Sequence, residues 1–283
     1  MATYPELKGK VALVTGAGRR KGLGEAIARR LVAEGCKVVI TDIGHAKGAE
    51  MPASAVGLQS EMDAVAAEIQ ASAQNGGACS AIALDVTEEK EVIAVVDETV
   101  KRYGALDILV NNAGIGYIMK PIAEMSMAEW DAVLGVNLRG AFACTKYATA
   151  QMVKQGRGGR VVNIASQAAK SGFPFASAYC SSKHGMVGLT RVTAIELGKH
   201  GITANAVCPN HVTTGLGAWQ NEYFSNALGM TMEQYMAAMK GRIPMGRPGL
   251  PSDTANAVAW LCSDEAKYVT GESMNVSGGE EYH

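Results

Sequence analysis

Short apolar runs alternate along this chain with longer stretches in which apolar residues recur every three or four positions. Val11-Ala12-Leu13-Val14-Thr15 is unbroken and β-rich, which predicts a buried strand; Leu23, Ile27, Leu31 and Val32 then share one helical face, and Gly35 ends that helix. Lys37–Asp42 and Ser80–Asp85 predict the second and third strands, and Ile108–Asn111, Arg160–Ile164, Thr203–Val207 and Ser273–Val276 complete a series of seven. Several of these runs are apolar throughout, so both faces of the sheet must be covered, and strands separated by helices are joined by crossovers that leave them parallel. The expectation is an α/β fold, a single doubly wound domain over residues 1–283 with a mainly parallel seven-stranded sheet and helices on both faces. Two stretches exceed that plan. The span from Asp42 to Asp85 is longer than one crossover needs, and residues 43–62, rich in Gly, Ala and Ser, are expected to be an inserted surface loop. Residues 215–245 carry Trp219, Tyr223, Phe224, Tyr235 and several methionines; they predict helix that covers the substrate side as a lid, with static packing or a subunit contact as the alternatives.

Composition narrows the function classes. Across 283 residues, 48% are hydrophobic and 19% charged, as in an ordinary globular protein. A net charge of −1 argues against a general nucleic-acid binder. No apolar run approaches the ~20 residues of a membrane span, and Met1–Lys8 has no apolar signal-peptide core, so a cytoplasmic location is expected. The six cysteines are scattered without metal-ligand spacing, which predicts reduced thiols and no metal site. Cys180, beside Tyr179, reads as a small apolar filler rather than a nucleophile.

Candidate chemistry gathers where strands end. Thr15-Gly16-Ala17-Gly18-Arg19-Arg20-Lys21-Gly22-Leu23-Gly24 joins the first strand to the first helix; glycines there allow close approach to a pyrophosphate, and the helix start supplies N–H donors. Asp42 ends the second strand, where a carboxylate can hold the adenosine ribose; Asp85-Val86 ends the third, and Asn112-Ala113-Gly114 follows the fourth. This half predicts a Rossmann-type dinucleotide site, and it also suits an S-adenosylmethionine methyltransferase.

The other half separates these classes. Tyr179 and Lys183 are four residues apart and so share a helix face. A free tyrosine titrates near pH ~10; bringing it to about 7 takes roughly 4 kcal/mol, which one cation about 4 Å away supplies at an effective dielectric of about 20. Ser166 precedes Tyr179 by 13 positions, and Asn137 lies upstream of both. With the T-G-x-G turn, D-V, N-N-A-G, Asn, Ser, Y-x-x-x-K, Pro209 with Val212 and Thr214, and Val276-Ser277-Gly278-Gly279 in that order, the chain resembles a short-chain dehydrogenase/reductase from Lys10 to about Gly279. The resemblance implies that Tyr179 exchanges the proton with the substrate oxygen. Ser166 would bond that oxygen, Lys183 would lower the tyrosine pKa and bond the nicotinamide ribose, and Asn137 would hold a water linking Lys183 to solvent. Val212 and Thr214 would fix the carboxamide. Gly16, Arg20, Lys21, Gly22 and Leu23 would surround the pyrophosphate. Three departures stand out: two extra residues within Arg19-Arg20-Lys21, Asn210 where the family commonly has glycine, and the long segment after the second strand.

Asp42 opposes a 2′-phosphate and favours NAD, whereas Arg19, Arg20 and Lys21 could attract the phosphate of NADP. Gln167, His211, Tyr117 and Trp219 are the expected substrate-facing residues, and Gln167 and His211 suit a hydroxylated substrate. The leading reading is an NAD-dependent oxidoreductase that interconverts a secondary alcohol and a ketone, or a sugar lactol and lactone, on a small sugar- or polyol-like molecule. An NADP-dependent 3-oxoacyl or carbonyl reductase is the enzymatic alternative, and a non-catalytic dinucleotide sensor the alternative of another class. The resemblance further implies a homodimer or homotetramer with a small-molecule substrate, and no nucleic-acid or membrane partner is expected.

Overall fold

The computed structural model describes residues 4–48, 51 and 56–282. Seven strands form one sheet: β1 (Val11–Val14), β2 (Lys37–Asp42), β3 (Ala78–Ala83), β4 (Ile108–Asn111), β5 (Gly159–Ile164), β6 (Ile202–Pro209) and β7 (Ser273–Val276). Their spatial order is β3-β2-β1-β4-β5-β6-β7, and every pairing is parallel. The fold is therefore the Rossmann-like, doubly wound sheet expected from the strand pattern.

Alternation along each strand sends successive side chains to opposite faces. Ala12, Val14, Val38, Ile40, Ile108 and Val110 meet Ile27 and Leu31 of α1 (Leu23–Ala33) and Val258 and Leu261 of α9 (Pro251–Cys262). Leu13, Val39, Leu109 and Val161 face the other way. They pack with Val92 and Val96 of α3 (Glu89–Tyr103), Met152 of α5 (Ala141–Gln155) and Ala194 of α6 (Ser177–Leu197). Two dry layers thus hold the sheet between helices, which is why its strands carry almost no polar alternation.

Two expectations need correction. β3 lies two residues earlier than Ser80–Asp85, because this edge strand pairs only while β2 lasts: Lys37 sits opposite Ala78 and Asp42 opposite Ala83. The expected loop over 43–62 ends sooner, since α2 (Gln59–Ala71) begins at Gln59; before it, Gly44 bridges Leu58 and Lys47 bridges Met51. Residues 49–50 and 52–55 of that segment lie outside the described residues.

Residues 127–155 form an almost continuous rod with an irregularity in the middle. α4 (Met127–Leu134) starts with a capping box between Ser126 and Glu129, and a π turn over Gly135–Gly140 then leads into α5. Such one-turn widenings are frequent at functional sites, and this one carries Asn137. The 215–245 segment is two helices, α7 (Gly215–Ala227) and α8 (Met232–Arg242), capped by Thr214 and Thr231.

Candidate active site

The sheet's strand order reverses between β1 and β4, and ligands of open α/β sheets bind at the carboxyl ends of strands beside such a reversal. Gly16 leaves β1 at φ +63°, and a Cβ there would lie 2.5 Å from Ala113 Cα, so only glycine lets the two turns touch. They are also bonded together. Thr15 Oγ accepts from the amides of Asn112 (3.1 Å) and Ala113 (3.0 Å), and Asn112 Nδ2 donates to the carbonyls of Thr15 (2.9 Å) and Gly16 (2.7 Å).

Above this floor lies a cleft of about 190 Å³, lined by Gly16, Arg20, Gly22, Leu23, Asp42, Asp85, Val86, Asn112, Ala113, Gly114, Tyr179, Lys183 and Thr214, among others. Backbone held open by glycine, a helix start and a carboxylate at the end of β2 fit a dinucleotide. Two residues expected here lie elsewhere. Lys21, at φ +58°, gives its amide to Glu25 and does not line the cleft; Val212 is buried beside a second cavity. Arg20 is at the rim, with its guanidinium paired to Glu68 of α2 at 2.6 Å.

Each acidic residue of the cleft is held by the segment after β2. Asp42 Oδ1 accepts from the amides of Ile43 and Gly57, both at 3.0 Å, and Oδ2 accepts from Gly18 at 3.1 Å. Burial pushes this carboxyl up, and the three N–H bonds oppose that rise. Oδ1 thus has both acceptor positions filled, while Oδ2 keeps one for a ligand. Lys47 pairs with Asp85 Oδ2 at 2.6 Å, while Thr87 bonds Oδ1 through its amide (2.9 Å) and hydroxyl (2.7 Å). Partial burial works against ionisation of Asp85, but Lys47 and Thr87 outweigh it and hold the carboxyl below its ordinary value.

Tyr179, near the start of α6, lines both this cleft and the second cavity, so its hydroxyl stands where cofactor and substrate would meet. Ser166 follows β5 and caps a short turn over Gln167–Ala169, its Oγ accepting from the Ala168 amide at 3.1 Å, and like Tyr179 it lines the second cavity. Lys183, one turn along α6, donates to the Ile164 carbonyl at 2.8 Å, with its nitrogen 5.7 Å from the Tyr179 ring centroid. Asn137 is fully buried: Nδ2 donates to the Ile115 carbonyl and Ser182 Oγ, both at 3.0 Å, and Oδ1 accepts from the Ile115 amide at 2.8 Å. Its side chain therefore fastens the turn after β4 to α6. Burial raises the Tyr179 phenol above its ordinary value, with the nearby Ser166 hydroxyl acting against it, and burial lowers Lys183 to about 8. The lowered tyrosine expected from the lysine neighbour is thus not the resting condition, because both charged forms share one dry site.

A family model described as enoyl-(acyl carrier protein) reductase matches residues 16–281. A short-chain dehydrogenase/reductase of Armillaria gallica is 39% identical, with 99% of this chain and 98% of that protein covered. This chain belongs to the short-chain dehydrogenase/reductase family. The 3-oxoacyl-[acyl-carrier-protein] reductase of Staphylococcus aureus is 38% identical over 95% of this chain and 97% of its own. The 2,5-dichloro-2,5-cyclohexadiene-1,4-diol dehydrogenase of Sphingobium indicum is 34% identical over 97% and 98%. A crystal structure assigned as a short-chain alcohol dehydrogenase of Sinorhizobium meliloti 1021 superposes with a TM-score of 0.82 at 32% identity, covering 96% of each chain. The protein is accordingly an oxidoreductase of that family.

A second cavity of about 540 Å³ adjoins the cleft at Tyr179, Leu23, Ala165, Thr214 and Leu216. Of the four residues expected to face the substrate, Gln167 and His211 line it, and Tyr117 and Trp219 do not. Tyr117 lines the cofactor cleft, where its hydroxyl accepts from Arg19 at 2.6 Å, and Trp219 packs edge-on against Tyr117 and stacks on Tyr223. His211 is bonded to Asn221, and burial holds its imidazole below the ordinary value. Asn210, at the family's glycine position, donates to the Ser277 carbonyl at 2.8 Å. Phe224 and Arg242 of the 215–245 segment line it too, together with Phe173, Glu280 and Glu281, which no motif had marked. Phe175, also in the wall, is held at φ +69°, a strained conformation for a bulky residue. Burial pushes the Cys180 thiol up, which suits a filler and not a nucleophile. No group of metal-ligating side chains occurs among the described residues, and none of their helices is long and apolar enough to cross a membrane.

Proposed function

We propose that this oxidoreductase uses NAD to interconvert a secondary alcohol and its ketone, or a lactol and its lactone, on a small sugar- or polyol-like substrate. The observation that carries the reading is Tyr179, which lines both cavities, beside Lys183 in the first and Ser166 in the second. A bound nicotinamide supplies the hydride acceptor or donor. Tyr179 takes the proton from the alcohol oxygen, or returns it to the carbonyl oxygen, while Ser166 holds that oxygen in line. Below about pH 8 the Lys183 ammonium adds positive charge beside the phenol, which favours its ionised form. Asn137 keeps Lys183's helix fixed against the turn after β4.

Asp42 supports NAD, since one Oδ2 position remains for a ribose hydroxyl and its charge opposes a 2′-phosphate. Arg20, bound to Glu68, and Lys21, turned out of the cleft, support the same choice. The 38% identity to the S. aureus 3-oxoacyl reductase favours a second reading, an NADP-dependent carbonyl reductase. Exposed Phe142 on α5 and Val192 and Ile195 on α6 are consistent with a homodimer or homotetramer. The test is turnover of sugars, polyols and hydroxy acids with NAD and NADP at equal concentration. NAD-linked oxidation should appear, and Tyr179→Phe should lower it by at least about 100-fold. Full activity in that variant would discard the mechanism, and a strong NADP preference would discard the cofactor assignment.

A further inference from the structure

The long segment after β2 is tied to itself before it reaches the cleft. At its base the Gly44 amide donates to the Gly57 carbonyl at 3.0 Å, and the Gly44 carbonyl accepts from the Gln59 amide at 2.9 Å. Further along, the Lys47 amide donates to the Met51 carbonyl at 2.9 Å, which fixes the Lys47 backbone. From there the side chain reaches the residues after β3. Its ammonium uses all three donors, on Asp85 Oδ2 at 2.6 Å, Thr87 Oγ at 3.2 Å and Glu88 at 3.4 Å. Asp85 is buried and lines the cofactor cleft. The Thr87 amide and hydroxyl fill both acceptor positions of its Oδ1, and Lys47 fills one on Oδ2, so a single position is left. Ile43, Met51, Val56, Leu84 and Val86 form apolar wall of the same cleft. This is the β3 side of the crevice, whereas Tyr179 and Lys183 belong to α6 beyond β5. A dinucleotide with its nicotinamide at Tyr179 therefore brings its adenosine half here.

We propose that Lys47 is a positioning residue for the cofactor's base, holding Asp85 so that the remaining Oδ2 position accepts from the 6-amino group of adenine. The proposal rests on the dinucleotide reading above, and it holds for NAD and NADP alike because they share that base. A fixed carboxylate oxygen binds an amino donor and rejects a carbonyl oxygen in the same place. Removing the ammonium frees Oδ2 from its one fixed donor. A buried carboxylate without its counter-charge also takes a proton more readily, and a protonated Oδ2 donates as well as accepts. Either change erases the distinction between an amino group and a carbonyl oxygen. The segment that lengthens this chain after β2 thus serves to read the base.

The experiment measures Kd by titration calorimetry, without substrate or turnover, for wild type, Lys47→Met and Lys47→Arg. The ligands are NAD, nicotinamide hypoxanthine dinucleotide, in which a carbonyl oxygen replaces the 6-amino group, and the 2′-phosphorylated form of each. Wild type should bind the adenine form at least roughly 10-fold more tightly than its hypoxanthine counterpart. Lys47→Met should lose most of that ratio, and Lys47→Arg, which still donates to Oδ2, should keep it. The lysine side chain is 40% exposed, so neither replacement opens a cavity in the core. Equal weakening of both bases in Lys47→Met would make Lys47 a structural prop and overturn the proposal, as would a wild type indifferent to the base. The expected ratios seen only with the 2′-phosphorylated pair would reject the NAD assignment and uphold the role of Lys47. Failure of all four ligands to bind would reject the dinucleotide reading and the proposal with it.

Discussion

The amine of Lys183 is buried against α6 and donates to the Ile164 carbonyl, and burial brings it down to about 8. In the unfolded chain the same amine holds its proton to about 10.4. Between those values the unfolded state binds the proton and the folded state does not, so stability rises with pH through that window and is lowest below 8. Replacing the lysine by an apolar residue of similar length removes this penalty. Lys183→Met is expected to be more stable than wild type by about 3 kcal/mol at pH 7, with the gap closing towards pH 10. Denaturant unfolding of both proteins at the two pH values checks this; a gap independent of pH would show that the lysine does not titrate as described. Oxidation by the same variant should fall, a residue kept for chemistry at a cost in stability. The Tyr179–Lys183 spacing was legible in the sequence because helix geometry alone pairs positions four apart. Its electrostatics were not, because burial depends on β5, the turn after β4 and α6 closing over the pair.

The segment between β2 and α2 places its own backbone on the cofactor cleft. Met51 and Val56 line the cleft, Lys47 holds Asp85, and Gly57 gives its amide to Asp42. A Cβ on Gly57 would come within 2.6 Å of Asp42 Cγ. Gly57→Ala should therefore displace the loop or the carboxylate, and a roughly 10-fold rise in KM for NAD follows from loss of one charge-assisted bond. Steady-state kinetics with NAD as the varied substrate decides it: an unchanged KM would mean that the loop does not set Asp42's position. An insertion could be recognised from length alone, but not its purpose, because Gly, Ala and Ser carry no period that points a segment at a partner. The placement of Tyr117 and Trp219 outside the second cavity was hidden for a related reason. Both are aromatic and near the right motifs in sequence, yet the turn after β4 carries Tyr117 into the cofactor cleft and α7 packs Trp219 against it. Glu280 and Glu281, in the wall of the second cavity, gave no local signal beyond the Gly278–Gly279 turn that precedes them.

At the scale of the molecule, β1 through β3 and β4 through β7 run outward in opposite directions from one crevice, and both halves of the sheet contribute to the cleft. The seven strands were readable because two-sided burial leaves unbroken apolar runs; the edge strand β3, half covered, was the one displaced. A ligand that touches both halves favours the folded state over the unfolded. NAD at about 100 times its Kd should stabilise the protein by about 2.7 kcal/mol, seen as a rise of a few degrees in Tm, and NADP at equal concentration should give less. An equal rise with both cofactors would weigh against Asp42 as discriminator. Of the chain's three tryptophans, Trp219 sits on α7 with its ring against Tyr117, itself part of the cleft wall. Its emission therefore reports on the wall of the cofactor cleft. The protein thereby carries an intrinsic optical probe beside that cleft, one able to follow cofactor arrival before any turnover occurs.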